Sequence, residues 1–221
     1  MRNIFVINNQ HQYSQTLANI ISKKMDFITC QINIDTLNDI NAQIDKNDAA
    51  LLIIGINTNK EIQFYLNKCR ELRIPYIFVK NNISTEYDIS NILLPITNLE
   101  EEREKAPFAS SFARHFNCPI TIYQPNDYGS KAANNIDAAK TLFDSLKINH
   151  TTIKGKKDSS KIELEAGIAN NQHNNLLIIS ASRDYGLDDI IFGPKEQKII
   201  KTTNIPTMLI NPRGDLYALC D

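Results

Sequence analysis

One short pattern constrains this chain more than any other, and it occurs twice. The run Leu51-Leu52-Ile53-Ile54-Gly55 returns as Leu176-Leu177-Ile178-Ile179-Ser180. Each is followed by a second shared run, Arg73-Ile74-Pro75-Tyr76-Ile77-Phe78-Val79 in the first case and Asn204-Ile205-Pro206-Thr207-Met208-Leu209-Ile210 in the second. Unbroken leucine and β-branched runs of this length read as strands covered on both faces of a parallel sheet. Two matches in the same order indicate an internal duplication whose earlier copy is the shorter. The boundaries expected are a truncated domain at 1–82, a full domain at 91–212 and a C-terminal tail at 213–221.

The stretches between these runs alternate strand and helix signals, the mark of βα units. Ile4-Phe5-Val6-Ile7 reads as a buried strand, and Leu17, Ile20 and Ile21 share a helical face. Alternation from Ile28 to Ile34 suggests a strand nearer an edge, and Ile62, Leu66, Cys69 and Leu72 line a helix over 59–73. The second copy opens with Ile92-Leu93-Leu94-Pro95-Ile96. Helical faces then follow at Phe108, Phe112 and Phe116, at Ile136, Ala139, Leu142, Phe143 and Leu146, and at Ile162, Ala166 and Ala169. Strands at Ile120–Tyr123 and Thr151–Ile153 fall between them. Pro107 fits only a first helical turn, so the acidic run Glu100-Glu101-Glu102 precedes that helix or bends away from it. The fold expected is α/β: two tandem parallel-sheet units, each a three-layer, Rossmann-like α/β/α sandwich.

Several function classes drop out. With 24 Lys+Arg against 25 Asp+Glu, the net charge of -1 lacks the basic surplus of a nucleic-acid binder. No apolar run nears the roughly 20 residues a bilayer span needs, and the start of the chain turns polar too soon for a secretory signal, so a cytoplasmic location is expected. Cys30, Cys69, Cys118 and Cys220 lie far apart with no C-x-x-C pair, which supports neither a metal site nor a disulfide framework. There is no G-x-x-x-x-G-K-[ST] loop and no G-x-G-x-x-G after a strand. Ser182, Arg183 and Asp184 have no histidine nearby, and His115 with Cys118 at a helix end reads as packing. The run Glu100–Glu104, interrupted by Arg103, reads as a solvated face.

The repeated strands, together with Ile92-Leu93-Leu94-Pro95-Ile96, the segment from Ser180-Ala181-Ser182-Arg183 through Gly186 to Phe192-Gly193-Pro194, and the last strand, resemble the universal stress protein family in tandem form, over about 91–212. The resemblance implies the adenine nucleotide α-hydrolase-like fold, a stress-response role and a nucleotide pocket after the first strand. There an Asp holds the adenine or ribose side, and a G-x-x-G-x(9)-G-[ST] loop lets backbone amides meet phosphates. Carried onto this chain, the pocket comprises Pro95, Thr97, Ser180, Arg183, Gly186, Gly193, Pro194 and Lys195. Thr97 stands at the Asp position, Ser180 and Arg183 at the first two glycines and Pro194 at the hydroxyl, so the site is degenerate. Gly193-Pro194 also suits the cap and first turn of any helix. In the first copy Gly55 sits at the first glycine, but Ile56-Asn57-Thr58-Asn59-Lys60 leads straight into a helix.

Two functions remain open. The favoured one is a non-enzymatic regulatory protein acting through protein contacts, without a cofactor and as a homodimer. The alternative is a sensor that takes ATP or AMP through Arg183 and Lys195. The apolar Leu216, Tyr217 and Leu219 suggest that the tail docks on the first copy or on another subunit.

Overall fold

The computed structural model describes residues 2–9, 11–80, 87–127, 129–170, 175–182 and 194–212. Its centre is one sheet of nine strands, β1 (Asn3–Ile7), β2 (Ile28–Ile32), β3 (Ala49–Gly55), β4 (Tyr76–Val79), β5 (Asn91–Pro95), β6 (Ile120–Gln124), β7 (His150–Lys154), β8 (Asn175–Ser180) and β9 (Thr207–Ile210). Their order is β2-β1-β3-β4-β9-β8-β5-β6-β7. Every pairing is parallel except β4 with β9, where Ile77 lies opposite Met208. The apolar strands that end the two expected units, β4 and β9, thus pair edge to edge and join all the described strands in one continuous sheet.

Among the described residues seven α-helices cover it: α1 (Gln12–Met25), α2 (Ile40–Asn47), α3 (Asn59–Cys69), α4 (Lys105–Phe116), α5 (Ser130–Ser145), α6 (Ile162–Ala169) and α7 (Lys195–Thr202). Side chains alternate across each strand, so one sheet feeds two cores. Ile53, Ile77, Leu94 and Ile178 pack under α1, α4 and α5. Leu52, Phe78, Leu93 and Ile179 pack under α2, α3, α6 and α7. No described helix is long and apolar enough to cross a membrane.

Strand β2 lies at one edge, as its alternation implies, with Ile28 and Gln31 exposed, and β7 lies at the other. The acidic run forms a 3-10 turn, Glu100–Glu104, ahead of α4, and Pro107 falls in that helix's first turn. Helix α3 ends at Cys69, four residues before the span expected. The Asn211 amide donates to the Cys69 and Leu72 carbonyls at 2.7 and 3.0 Å, and Tyr76 donates to Asn211 Oδ1 at 2.9 Å. Asn211, near the end of the second domain, thus docks on the first half, whereas the tail 213–221, with Leu216, Tyr217 and Leu219, lies outside the described residues. Lys80 joins the halves again: its Nζ donates to the carbonyls of Ile200, Lys201 and Thr203 at 3.1, 2.8 and 2.8 Å, capping the end of α7.

Candidate functional site

In an open parallel sheet, ligands favour the carboxyl ends of strands where the order reverses. Two such points exist here. The chain leaves β5 toward β6 and returns on its other side at β8, and it leaves β1 toward β2 and returns at β3.

At the first of these points lies a cleft of about 840 Å³. Thr97, Asn98, Leu99 and Glu101 after β5 form one wall. Asp127, which follows β6, and Asp158, Ser159 and Ser160, which follow β7, form a second. Ala181 and Ser182 after β8, with Lys195 on α7, complete it.

Beneath the cleft is a buried ionic chain. Lys105, fully buried, donates to the Pro95 carbonyl at 2.5 Å and meets Glu102 Oε2 at 2.6 Å, with Glu163 Oε1 at 3.8 Å. Glu102, also buried, accepts from the Thr97 amide at 2.9 Å and from the Ser180 hydroxyl at 3.1 Å. Glu163 Oε2 in turn pairs with Lys195 at 2.9 Å. Burial alone would lower the Lys195 ammonium, but the carboxylates of Glu163, Glu196 and Glu102 outweigh it and hold the group above the ordinary lysine range. Glu196, in the first turn of α7, accepts from the Ser182 amide. Burial raises its carboxyl, opposed only in part by hydrogen bonds and Lys195. Asn135 fastens the wall from α5, donating to the carbonyls of Thr97 and Leu99 at 3.2 and 2.7 Å.

Five of the eight residues proposed from sequence are described here. Pro95, Thr97 and Ser180 converge on Glu102 and Lys105, and Lys195 reaches the same chain through Glu163. Pro194 is the cap before α7 (φ -65°, ψ 155°) and not its first-turn residue. Arg183, Gly186 and Gly193 lie outside the described residues. One expectation is corrected: the acidic run is not simply a solvated face, because Glu102 is 2% exposed. Lys105, three residues on, supplies the countercharge that burial demands. Glu102, Lys105, Glu163 and Glu196 were not singled out as site residues, and only the Glu102–Lys105 spacing on one helical face signalled a pair.

The second point, between β1 and β3, is filled. The His11 ring lies against Gly55, where an added Cβ would stand 2.2 Å from His11 Cγ. His11 caps α1 by accepting from the Ser14 amide at 3.1 Å, and Asn9 donates to the Gly55 carbonyl at 2.7 Å. Glu61 turns back to the start of α3, accepting from the Asn57 amide at 3.1 Å and from Thr58 Oγ1 at 3.2 Å. His115 and Cys118 form no reactive pair: His115 contacts the Ser111 carbonyl, and burial pushes the Cys118 thiol up to about 11. Among the described residues, no cluster of three or more His, Cys, Asp or Glu could hold a metal ion.

No family model and no curated protein matches the sequence. Solved structures do. A universal stress protein from Archaeoglobus fulgidus matches with a TM-score of 0.63 and 10% identity over 97% of this chain and 88% of that one. A candidate universal stress protein from Pseudomonas aeruginosa matches at 0.57 and 12%, over 98% and 84%. A functionally unknown protein from the same species matches at 0.56 and 12%, over 98% and 84%. At such identities the likeness is one of fold. Over nearly its whole length, this chain has the fold of a universal stress protein.

Proposed function

We propose that the chain is a tandem universal-stress-type protein that regulates through protein contacts and catalyses nothing. On this reading residues 1–82 and 91–212 are two copies of one unit, the first lacking a βα step. The strand orders β2-β1-β3-β4 and β6-β5-β8-β9 support it, because they correspond term by term about the antiparallel joint. A cytoplasmic homodimer completes the proposal. Light scattering on the full chain and on a chain ending at Pro212 tests the dimer, and a monomer in both cases refutes it.

One observation carries the reading of a degenerate nucleotide site. In each half, an amide beside the helix N-terminus where an anion would bind is already taken by the protein's own carboxylate. Glu196 holds the Ser182 amide and Glu61 holds the Asn57 amide. Lys195, the one cation that lines the cleft among the described residues, is likewise paired with Glu163. A phosphate would have to displace these groups. Calorimetry should therefore find ATP and AMP binding no tighter than about millimolar.

The volume of the cleft favours a second reading, an adenine-nucleotide sensor using Arg183 and Lys195, with ATP or AMP as its ligand. It requires micromolar binding that weakens in Arg183→Gly. That result would replace the first reading.

A further inference from the structure

The two edges of the sheet are built differently. Strand β7 ends on the exposed Lys154, with Lys156 and Lys157 just beyond, and charge of this kind keeps a foreign strand from pairing. Strand β2 has no such guard. Ile28-Thr29-Cys30-Gln31-Ile32 contains no charge and no proline, and its register on β1 runs without a bulge from Asn3–Ile28 to Ile7–Ile32. The Ile28 amide donates to the Arg2 carbonyl at 3.0 Å, and the Ile32 carbonyl accepts from the Asn8 amide at 2.8 Å, so the even-numbered residues bond toward β1. By the two-residue period, the amides and carbonyls of Thr29 and Gln31 point off the sheet. Among the described residues no strand pairs with them. On the α1 side, Gln31 donates to Gln15 at 3.1 Å and Gln15 to Asn19 at 2.9 Å, an uncharged chain of amides. On the α2 side, where Cys30 and Ile32 pack, Ile28 is 47% exposed and Ile34, just past the strand, 39%.

We propose that two copies of this chain join through β2, antiparallel about a twofold axis at Cys30. The strand is complementary to itself. With Cys30 opposite the partner's Cys30, Thr29 faces the partner's Gln31 and Gln31 faces the partner's Thr29, and each pair exchanges both backbone hydrogen bonds. Every outward amide and carbonyl of the strand is then satisfied. Ile28 falls opposite the partner's Ile32, so one isoleucine covers another, and no like charges meet within the paired strands. This register pairs all five residues, and any other shortens the ladder. The inference rests on the homodimer reading above and names its interface.

Sedimentation equilibrium on the full chain, from about 1 to 100 μM, should find a dimer of micromolar strength, as befits so short a pair of strands. Ile28→Lys sets a cation against the partner's Ile32, and Gln31→Pro removes an outward donor that the fold itself does not use. We expect each to weaken the dimer about tenfold or more, and Ile153→Lys, at a similarly exposed isoleucine on β7, to change it less than about twofold. Ile28→Lys serves alone if Gln31→Pro does not fold. Copper phenanthroline should also cross-link a Cys220→Ser chain through Cys30, because facing residues of a non-hydrogen-bonded pair have Cα atoms about 4.5 Å apart, within disulfide reach. Cys69 and Cys118 are buried and do not compete. A dimer that is indifferent to the β2 variants, or that fails to cross-link at Cys30, overturns this interface and leaves the homodimer reading standing. A full chain that is monomeric at about 100 μM overturns it too. If the chain ending at Pro212 is then also monomeric, the homodimer reading falls with it, and if that shorter chain pairs through β2, the occupant of this edge is the tail.

Discussion

The two switch points differ in what fills them. Between β1 and β3 the space is taken by an imidazole, and the strand carries Gly55 because His11 leaves no room for a Cβ. Between β5 and β8 the matching strand position is Ser180, whose hydroxyl is spent on a buried carboxylate beneath an open cleft. One half closes its pocket with packing and the other floors it with charge. Packing needs only the right volume, whereas a charged floor requires every carboxylate to find a partner. The first half should therefore tolerate volume-conserving substitutions near its switch point, and the second should not tolerate loss of a charge.

The largest effect expected is at Lys105. Lys105→Met leaves Glu102 and Glu163 buried beside each other without their shared cation, and urea unfolding should show a loss of about 3–5 kcal/mol. A loss below about 1 kcal/mol would mean that the floor is solvated and the contrast between the halves is false. Next comes Gly55→Ala, which forces a methyl against the His11 ring and should destabilise by about 2 kcal/mol. Combining it with His11→Ser should recover most of that loss, and a strictly additive double variant would place the strain elsewhere. Ser180→Ala removes one hydrogen bond to Glu102 and should lower stability by about 1.5 kcal/mol. Its Tm should fall without any change in cleft charge.

The smallest effect is a pH dependence. Burial raises the Glu196 carboxyl above its unfolded range near about 4.3. The folded state then holds the proton more tightly, so this contribution is complete below the unfolded value and is lost as pH rises through the folded one. In Glu196→Gln that decline should vanish, making its unfolding free energy flatter than wild type between acid and neutral pH. Parallel curves for the two proteins would show that Glu196 is not the group responsible.

Much of this arrangement was legible locally. The Leu51 and Leu176 runs, the exposed alternation of β2 and the position of Pro107 each express a short-range rule, and each is realised. Helix α2 and the 3-10 turn Ile34–Asp39 escaped notice, because Leu37, Ile40 and Ile44 are interleaved with Asn and Asp that blur the apolar spacing. The end of α3 depends on Asn211, 142 residues from Cys69, so no local rule places it. The same holds for the site. Thr97, Ser180 and Lys195 could be named from a family pattern, but their shared partner Glu102 is buried only because Lys105 and a serine 78 residues away converge on it. Burial of a charge is decided by long-range contacts, and a stretch of Glu, Arg and Lys looks the same on a surface.

The antiparallel joint also sets a timetable for the nascent chain. Strand β4 ends at Val79, and the strand that covers its free edge begins only at Thr207. At roughly 5–20 residues per second, a ribosome takes on the order of ten seconds to make the intervening stretch. Throughout that interval Tyr76, Ile77, Phe78 and Val79 form a strand with an unsatisfied edge, open to any other extended segment. Synthesis of this protein therefore includes a window of exposure to mispairing, which closes when β9 emerges and is shielded until then only by whatever binds the growing chain.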